Sequence, residues 1–376
     1  MADVQGAYED RFKGVRDVLA GNLDAGKDVG ASVAVILDDK LVVDIWGGFT
    51  DEARTRPWER DTITNVWSST KTIASLCALI LADRGELDFD APVARYWPEF
   101  AANGKEGVLV RHIMGHTSGL SGWEEPMTDA DFYDWDKATS LLAAQAPWWE
   151  PGTASGYHAL TYGNLVGELV RRVTGDTLGT FVAKEIAGPL GADFSIGVAP
   201  EHEHRVANVI PPPPLPMPDD LTSIAVRTLG NPLPNAEWSW TEAWRRSELP
   251  AVNGHTNARA MAVIQAALAN GGESQGLRLL SPKGCEAVFR EQAHGIDLVL
   301  GAPLRYGMGF GLTSEEMPLG PNPRTCFWGG WGGSIVVIDF DARMVVTYMM
   351  NRMGEGTLGD DRGIGILFAA YGALES

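Results

Sequence analysis

The chain has 376 residues, with 49 acidic against 30 basic side chains and a formal net charge of -19. A field of that sign excludes nonspecific nucleic-acid binding and disfavours an anionic membrane surface, because both need an excess of cation. At 45% hydrophobic and 21% charged, the composition is that of a soluble globular protein with ample core, long enough for two domains or one large domain with an insertion.

Cys77, Cys285 and Cys326 are too few for a disulfide framework and lack metal-knuckle spacing, so they read as small core residues. The stretch Met1 to Lys13 carries Asp3, Glu9 and Asp10 with no apolar run behind it, unlike a signal peptide. The longest apolar run, Ile73 to Ala82, is far short of the roughly 20 residues a membrane span needs. These features predict a cytoplasmic protein in a reducing compartment, with neither membrane nor nucleic acid as partner.

Taken in chain order, residues 7 to 25 place Phe12, Val15, Val18, Leu19 and Leu23 at helical spacing. Ser32 to Leu37 and Leu41 to Trp46 are β-branched runs around Asp38-Asp39-Lys40, which predicts an antiparallel hairpin. The extended segment Thr62 to Trp67 turns into an apolar helix over 70–84, stopped by Gly85. From about 86 to 285, helical patterns at 129–146, 160–174 and 256–270 alternate with loops rich in Pro, Gly and Trp. Pro211 to Pro218 reads as polyproline II in a stiff surface loop. Trp148, Trp149, Trp238, Trp240 and Trp244 suggest an aromatic-walled cleft. Strands return at Arg305 to Leu312, Ser334 to Phe340 and Met344 to Met350, the last two joined by Asp341-Ala342-Arg343, and a helix over 361–374 closes the chain.

The expected fold class is α+β. One antiparallel sheet is built from both chain ends, 1–85 and 286–376, and flanked by helices. A mostly helical domain over 86–285 is inserted beside it, with the active site in the cleft between them.

One constellation carries chemistry. Ser68 and Lys71 are three residues apart where the extended segment becomes the apolar helix, so their heads share a face. The helix start offers free N–H groups to a developing oxyanion. A lysine turned into an apolar interior loses basicity and can take a proton from a hydroxyl. Serine starts helices so often that S-x-x-K alone is weak. Of the eight lysines, however, only Lys71 has serine three places before it. Tyr157 enters the 160–174 helix from a loop, and a phenol beside a lysine cation is expected to have a lowered pKa and to serve as base and then acid. The stretch Phe327-Trp328-Gly329-Gly330-Trp331-Gly332-Gly333-Ser334 allows close backbone approach and a second oxyanion N–H.

Ser68-x-x-Lys71, Tyr157 and Trp328-x-Gly330 together resemble the serine β-lactamase and penicillin-binding-protein superfamily. The resemblance is greatest to the family VIII carboxylesterases, which are related to class C β-lactamases. Supporting stretches are Gly85 to Val93, His116-Thr117-Ser118-Gly119-Leu120, Pro151-Gly152-Thr153, Asn253-Gly254-His255 and Arg278 to Pro282. Two departures stand out: Tyr157-His158-Ala159 replaces Tyr-x-Asn, and Trp328-Gly329-Gly330 replaces Lys-Thr-Gly. An indole cannot anchor a β-lactam carboxylate, so the resemblance implies an esterase for small acyl or aryl esters, with weak β-lactam hydrolysis at most.

It further implies a β-lactamase/transpeptidase-like fold and an acyl-enzyme on Ser68, with Lys71 and Tyr157 as general base and acid. The oxyanion would rest on the backbone N–H groups of Ser68 and Trp331. Substrate contacts are expected from Trp328, Gly329, Gly330, His158 and Trp123. Neither metal nor cofactor is expected, and the partner is a small-molecule ester; a homo-oligomer stays open. The competing readings are a β-lactamase or D-amino-acid peptidase acting on amides, and a non-catalytic binding module. Gly272-Glu273-Ser274-Gln275-Gly276 fits G-x-S-x-G, but that motif needs a strand before it and a helix after it. Here it reads as a surface turn. His202 and His204, one residue apart in an acidic stretch, read as loop residues, and His116 and His255 as structural hydrogen-bonders.

Overall fold

The structure, a computed structural model of the chain, describes residues 2–214, 220 and 222–375. The polyproline reading of Pro211 to Pro218 lies outside the described residues from position 215 onward.

The central element is a nine-stranded sheet. Its order is Val4–Tyr8, Lys40–Gly48, Gly30–Leu37, Met344–Met350, Ile335–Asp339, Thr325–Gly329, Gly311–Leu312, Pro303–Tyr306 and Ala293–Ile296. Every neighbouring pair is antiparallel. The two chain ends meet where Ala31 to Leu37 pairs with Met350 to Met344. These are β-branched runs with hardly an exposed residue, as expected of strands covered on both faces. Successive residues show the two coverings. Thr347 Oγ1 donates to Ala258 O (2.8 Å) at the start of the helix Ala258–Ala269. Tyr348 OH donates to Asp28 Oδ1 (2.6 Å) on the side where Lys13–Asp24 and Asp361–Gly372 pack. The Ala258–Ala269 helix therefore lies on the sheet, although the sequence places it within the inserted region.

Three elements differ from expectation, each for a local reason. Residues 7 to 25 are not one helix. Val4–Tyr8 is an edge strand on Lys40–Gly48, and the α-helix begins only at Lys13. The helical spacing marks its buried face, with Phe12, Val15, Leu19 and Leu23 inside. The pattern at 129–146 splits into Asp129–Tyr133 and Trp135–Ala144. Between them Asp134 is extended, and its side chain caps the second helix by accepting from Lys137 N (3.0 Å). Arg305 to Leu312 is not one strand but a hairpin pairing Arg305 with Leu312 and Tyr306 with Gly311. It turns at Gly309, whose φ is +84°.

A second sheet, which the sequence does not announce, holds the approach to Ser68. Phe194–Ile196, Gly254–Thr256, Ile63–Asn65 and Val206–Ala207 form it in that order, and Val66 N donates to Gly254 O (2.9 Å). The segment before the serine is thus clamped to the helical region. Among the described residues no helix is long and apolar enough to cross a membrane.

The closing helix is tied in by Arg362, which is 4% exposed. It donates to Asp28 Oδ1 (2.8 Å), Asp360 (2.5 Å), Arg352 O (2.8 Å) and Gly332 O (2.6 Å). Breaking a buried pair strands a charge and costs about 3–5 kcal/mol. Arg362→Ala is therefore expected to lower unfolding free energy by that amount in urea titration. Phe368→Ser, at an exposed site of the same helix, should change it by less than about 0.5 kcal/mol.

Candidate active site

The strand Ile63–Asn65 runs into a 3-10 turn, Trp67–Thr70, and then the α-helix Lys71–Asp83. Trp67 takes a φ of +47°. That left-handed backbone is strained for a bulky residue, and it turns Ser68 sharply onto the helix start. Ser69 Oγ hydrogen-bonds Ser334 Oγ (2.9 Å), which donates to Val66 O (3.0 Å), so the turn is fastened to the central sheet.

Lys71, the first α-helical residue, is 1% exposed. Its Nζ lies 3.0 Å from Ser68 Oγ and donates to Ala159 O (2.7 Å) and Ala251 O (3.0 Å). No carboxylate pairs with it among the described residues. Burial alone drives its pKa well below the usual lysine value. A neutral amine has two N–H groups, one for each carbonyl, and a lone pair left for the serine hydroxyl.

Tyr157 OH donates to Ser68 Oγ (2.6 Å), and its ring centre is 4.8 Å from Lys71 Nζ. Serine, lysine and tyrosine thus form one hydrogen-bonded group, buried to 7%, 1% and 4% exposure. The expected lowering of the phenol pKa does not occur. Burial raises it, against opposing contributions from Ser68 and Trp328. Desolvation of the buried phenolate is the largest cause, and it outweighs the hydrogen bonds that favour ionisation.

The strand Thr325–Gly329 ends beside this group. A Cβ on Gly330 would stand 2.3 Å from Ser334 Oγ and 2.4 Å from Val66 O; one on Gly329 would stand 2.2 Å from Leu358 C. Neighbouring chain thus leaves no room for a side chain at either position. Neither the Trp331 nor the Ser68 N–H donates to a backbone carbonyl among the described residues. Trp331, partly exposed, sets its ring edge-on to Trp67 at 5.0 Å.

Other expected contacts fall elsewhere. Trp123 is 1% exposed, donates from Nε1 to Ala138 O (2.9 Å) and packs on Phe132. It is core, because its N–H finds a carbonyl inside the helical region. His158 is fully buried, with Nε2 2.6 Å from Ser118 Oγ and Nδ1 2.6 Å from Gly156 O, so both ring nitrogens are engaged away from any ligand. Trp328 is 1% exposed and backs the ring of Tyr157 at 5.3 Å.

The indoles that reach the site are Trp238, Trp244, Trp67 and Trp331, in successive ring contact. Trp148 instead stacks under Arg227, and Trp240 is exposed. Ser274 is buried in the hairpin Glu273–Ser274/Leu277–Arg278, its Oγ donating to Val263 O (2.6 Å). Among the described residues no group of three or more His, Cys, Asp or Glu side chains could hold a metal ion. Reasoning from sequence missed the carbonyls of Ala159 and Ala251, which carry no side-chain signal. It also missed Asp297, which accepts from Tyr157 N (3.0 Å).

This architecture is a β-lactamase/transpeptidase-like α+β fold. The chain belongs to the beta-lactamase family, whose family model matches residues 15–371. It is 35% identical over 369 residues to the esterase/beta-lactamase LipL of Mycobacterium tuberculosis, covering 93% of this chain and 83% of that one. A solved family VIII carboxylesterase superposes with a TM-score of 0.93 at 42% identity, over 99% of this chain and 100% of that one. A penicillin-binding-protein homolog from Caulobacter crescentus superposes with a TM-score of 0.93 at 38% identity, over 99% and 100% of the two chains.

Four histidines line or underlie the core. Burial lowers His112, His158 and His255 to about 4 and His116 well below its usual value. Below the ordinary imidazole pKa the unfolded chain binds more protons, so stability is lost as pH falls from about 6.5 towards 4. The slope reaches about 1.4 kcal/mol per pH unit for each histidine. Denaturant midpoints at pH 7.5, 6 and 5 should fall in that order; equal midpoints contradict the assignment. Gly330→Ala, forced against Val66 O, is expected to lose at least about 1–3 kcal/mol of stability.

Proposed function

We propose that the protein is a serine carboxylesterase that cleaves short-chain acyl or aryl esters through an acyl-enzyme on Ser68. The observation that carries this reading is the buried Lys71 Nζ, 3.0 Å from Ser68 Oγ and without a counter-ion among the described residues, with Tyr157 OH 2.6 Å from the same oxygen. Relatives named esterase and carboxylesterase support it.

Neutral Lys71 takes the Ser68 proton as Oγ attacks the ester carbonyl. The tetrahedral oxyanion is held by the N–H groups of Ser68 and Trp331. Tyr157, kept protonated by burial, turns its O–H to the leaving oxygen and gives up its proton as the ester C–O bond breaks. Lys71 then returns its proton to the phenolate, and water repeats the cycle to release the acid. The pKa shifts thus divide the labour: amine as base, phenol as acid. The site opens between the sheet, with the helix Ala258–Ala269 that covers it, and the helical region that begins at about residue 86. Three buried free thiols accord with a reducing cytoplasm.

The apolar surroundings, with Trp328 where a β-lactam-binding enzyme of this superfamily would carry a cation, favour uncharged esters over β-lactams. A panel of nitrophenyl esters of increasing length plus one chromogenic cephalosporin tests this. Short esters should turn over far faster than the cephalosporin; the reverse order makes the protein an amide-directed enzyme. Ser68→Ala should cut ester hydrolysis by about 10⁴-fold or more, while Ser274→Ala leaves it unchanged.

The pH profile follows from the amine. kcat/KM falls as pH drops through the Lys71 pKa, because only the neutral form accepts the proton. Since burial holds that pKa well below the lysine norm, that fall is expected well below the pH at which a free lysine titrates. A profile still rising between pH 9 and 11 would remove Lys71 as the base.

A further inference from the structure

Tyr157 lies in a segment without regular structure, where no ladder fixes its backbone. Gly156 N donates to His116 O (3.0 Å) and His158 N to His116 Nδ1 (3.0 Å). The N–H between them, that of Tyr157 itself, is satisfied from 140 residues away by Asp297 Oδ1 (3.0 Å). Asp297 follows the outermost strand of the nine-stranded sheet, Ala293–Ile296, and is fully buried. Its Oδ1 also accepts from Val299 N and Leu300 N (both 2.9 Å), and its Oδ2 accepts from Tyr306 OH (3.0 Å). One residue on, Leu298 N donates to Ser155 O (2.8 Å), so the two segments are stitched together twice.

We propose that Asp297 is a positioning residue for Tyr157, holding the phenol in register with Ser68 from the edge of the central sheet. The inference rests on the acyl-enzyme reading above, because it presumes that Tyr157 transfers the proton.

The bland alternative is that Asp297 only closes its own turn. That turn, however, already has main-chain bonds, Asp297 N to Ala302 O (3.0 Å) and Gly301 N to Asp297 O (2.9 Å). Oδ2 is spent on Tyr306, whose ring lies 5.7 Å from that of Trp328, the indole behind Tyr157. Both carboxylate oxygens thus serve the surroundings of one phenol. Next to burial, which dominates, the Asp297 charge also works against ionisation of that phenol. The phenol oxygen sits at the end of a long lever from the backbone that Asp297 holds, so a small backbone shift becomes a large displacement at Ser68. A misplacement of about 1 Å can cost about 100-fold in rate.

The test compares steady-state hydrolysis of 4-nitrophenyl acetate by five proteins alongside thermal unfolding. Asp297→Ala should lose about 10- to 100-fold in kcat with KM changed less than about 3-fold, as expected when a group aligned for the transition state is displaced and binding is not. Asp297→Asn keeps an oxygen for the three N–H groups and should recover to within about 5-fold of wild type. Gly301→Ala strains the same turn at φ +65° without touching Tyr157, and should keep wild-type kcat even if its unfolding temperature falls. If Asp297→Ala does not fold, Asp297→Glu replaces it. That variant keeps charge and acceptors but moves them one methylene, and should show the same kcat loss.

Wild-type kcat in the Ala or Glu variant overturns the proposal. So does an equal kcat loss in Gly301→Ala, or an Asn variant as impaired as Ala. The Ser68→Ala protein in the same assay separates the two levels. If it still hydrolyses the ester, the acyl-enzyme reading fails. If it is silent while Asp297→Ala is unimpaired, only the positioning role fails.

Discussion

An amine sealed in protein, with no counter-ion among the described residues, is the constraint around which this molecule is arranged. An isolated ammonium is among the most costly groups to bury, so a lysine placed there sheds its proton more readily. Lys71 is tolerated because its N–H groups meet two carbonyls, one from the approach to the Thr161–Thr174 helix and one from the loop before Gly254–Thr256. Chain segments 88 and 180 residues distant in sequence must converge on one nitrogen. That convergence fixes the helical region against the helix Lys71–Asp83 and leaves the amine's remaining valence for the serine.

The rings packed behind the phenol stay uncharged. His116 packs between Tyr162 and Trp328, with ring distances of 4.7 Å and 5.7 Å, and touches Tyr157 at 5.4 Å. Burial keeps it neutral. Its Nδ1 is used as an acceptor by His158 N, which a protonated imidazole could not offer. The floor beneath the Tyr157 phenol is thus a layer of neutral rings. Such a layer offers no counter-charge that would restore the lysine's basicity.

How much of this was legible in the sequence depends on distance along the chain. Ser68 and Lys71 could be paired because three residues of helix bring them together whatever the rest does. The two strand pairs around Asp38-Asp39-Lys40 and Asp341-Ala342-Arg343 could be read because their partners are adjacent. The fold class followed because apolar runs at both ends had nowhere to bury except against each other. What escaped was set at long range or by main chain. The break at Asp134 depended on a cap competing with helical periodicity. The crowding of Gly329 by Leu358 and of Gly330 by Val66 joins segments far apart in the chain. Trp123 and His158 carried residue types suited to a pocket, and only the carbonyls and hydroxyl they meet reveal them as interior. The Ala159 and Ala251 carbonyls and the Asp297 contact had no signature at all.

Because Gly30–Leu37 is flanked on one side by Met344–Met350, the middle of the sheet must wait for the last-made strands. A ribosome must therefore add 313 residues after Ala34 before Thr347 can reach it. Such late closure lengthens the interval in which apolar edges stand open. It also means that the turn Trp67–Thr70, fastened through Ser69 to Ser334, lacks that fastening until Ser334 has been made.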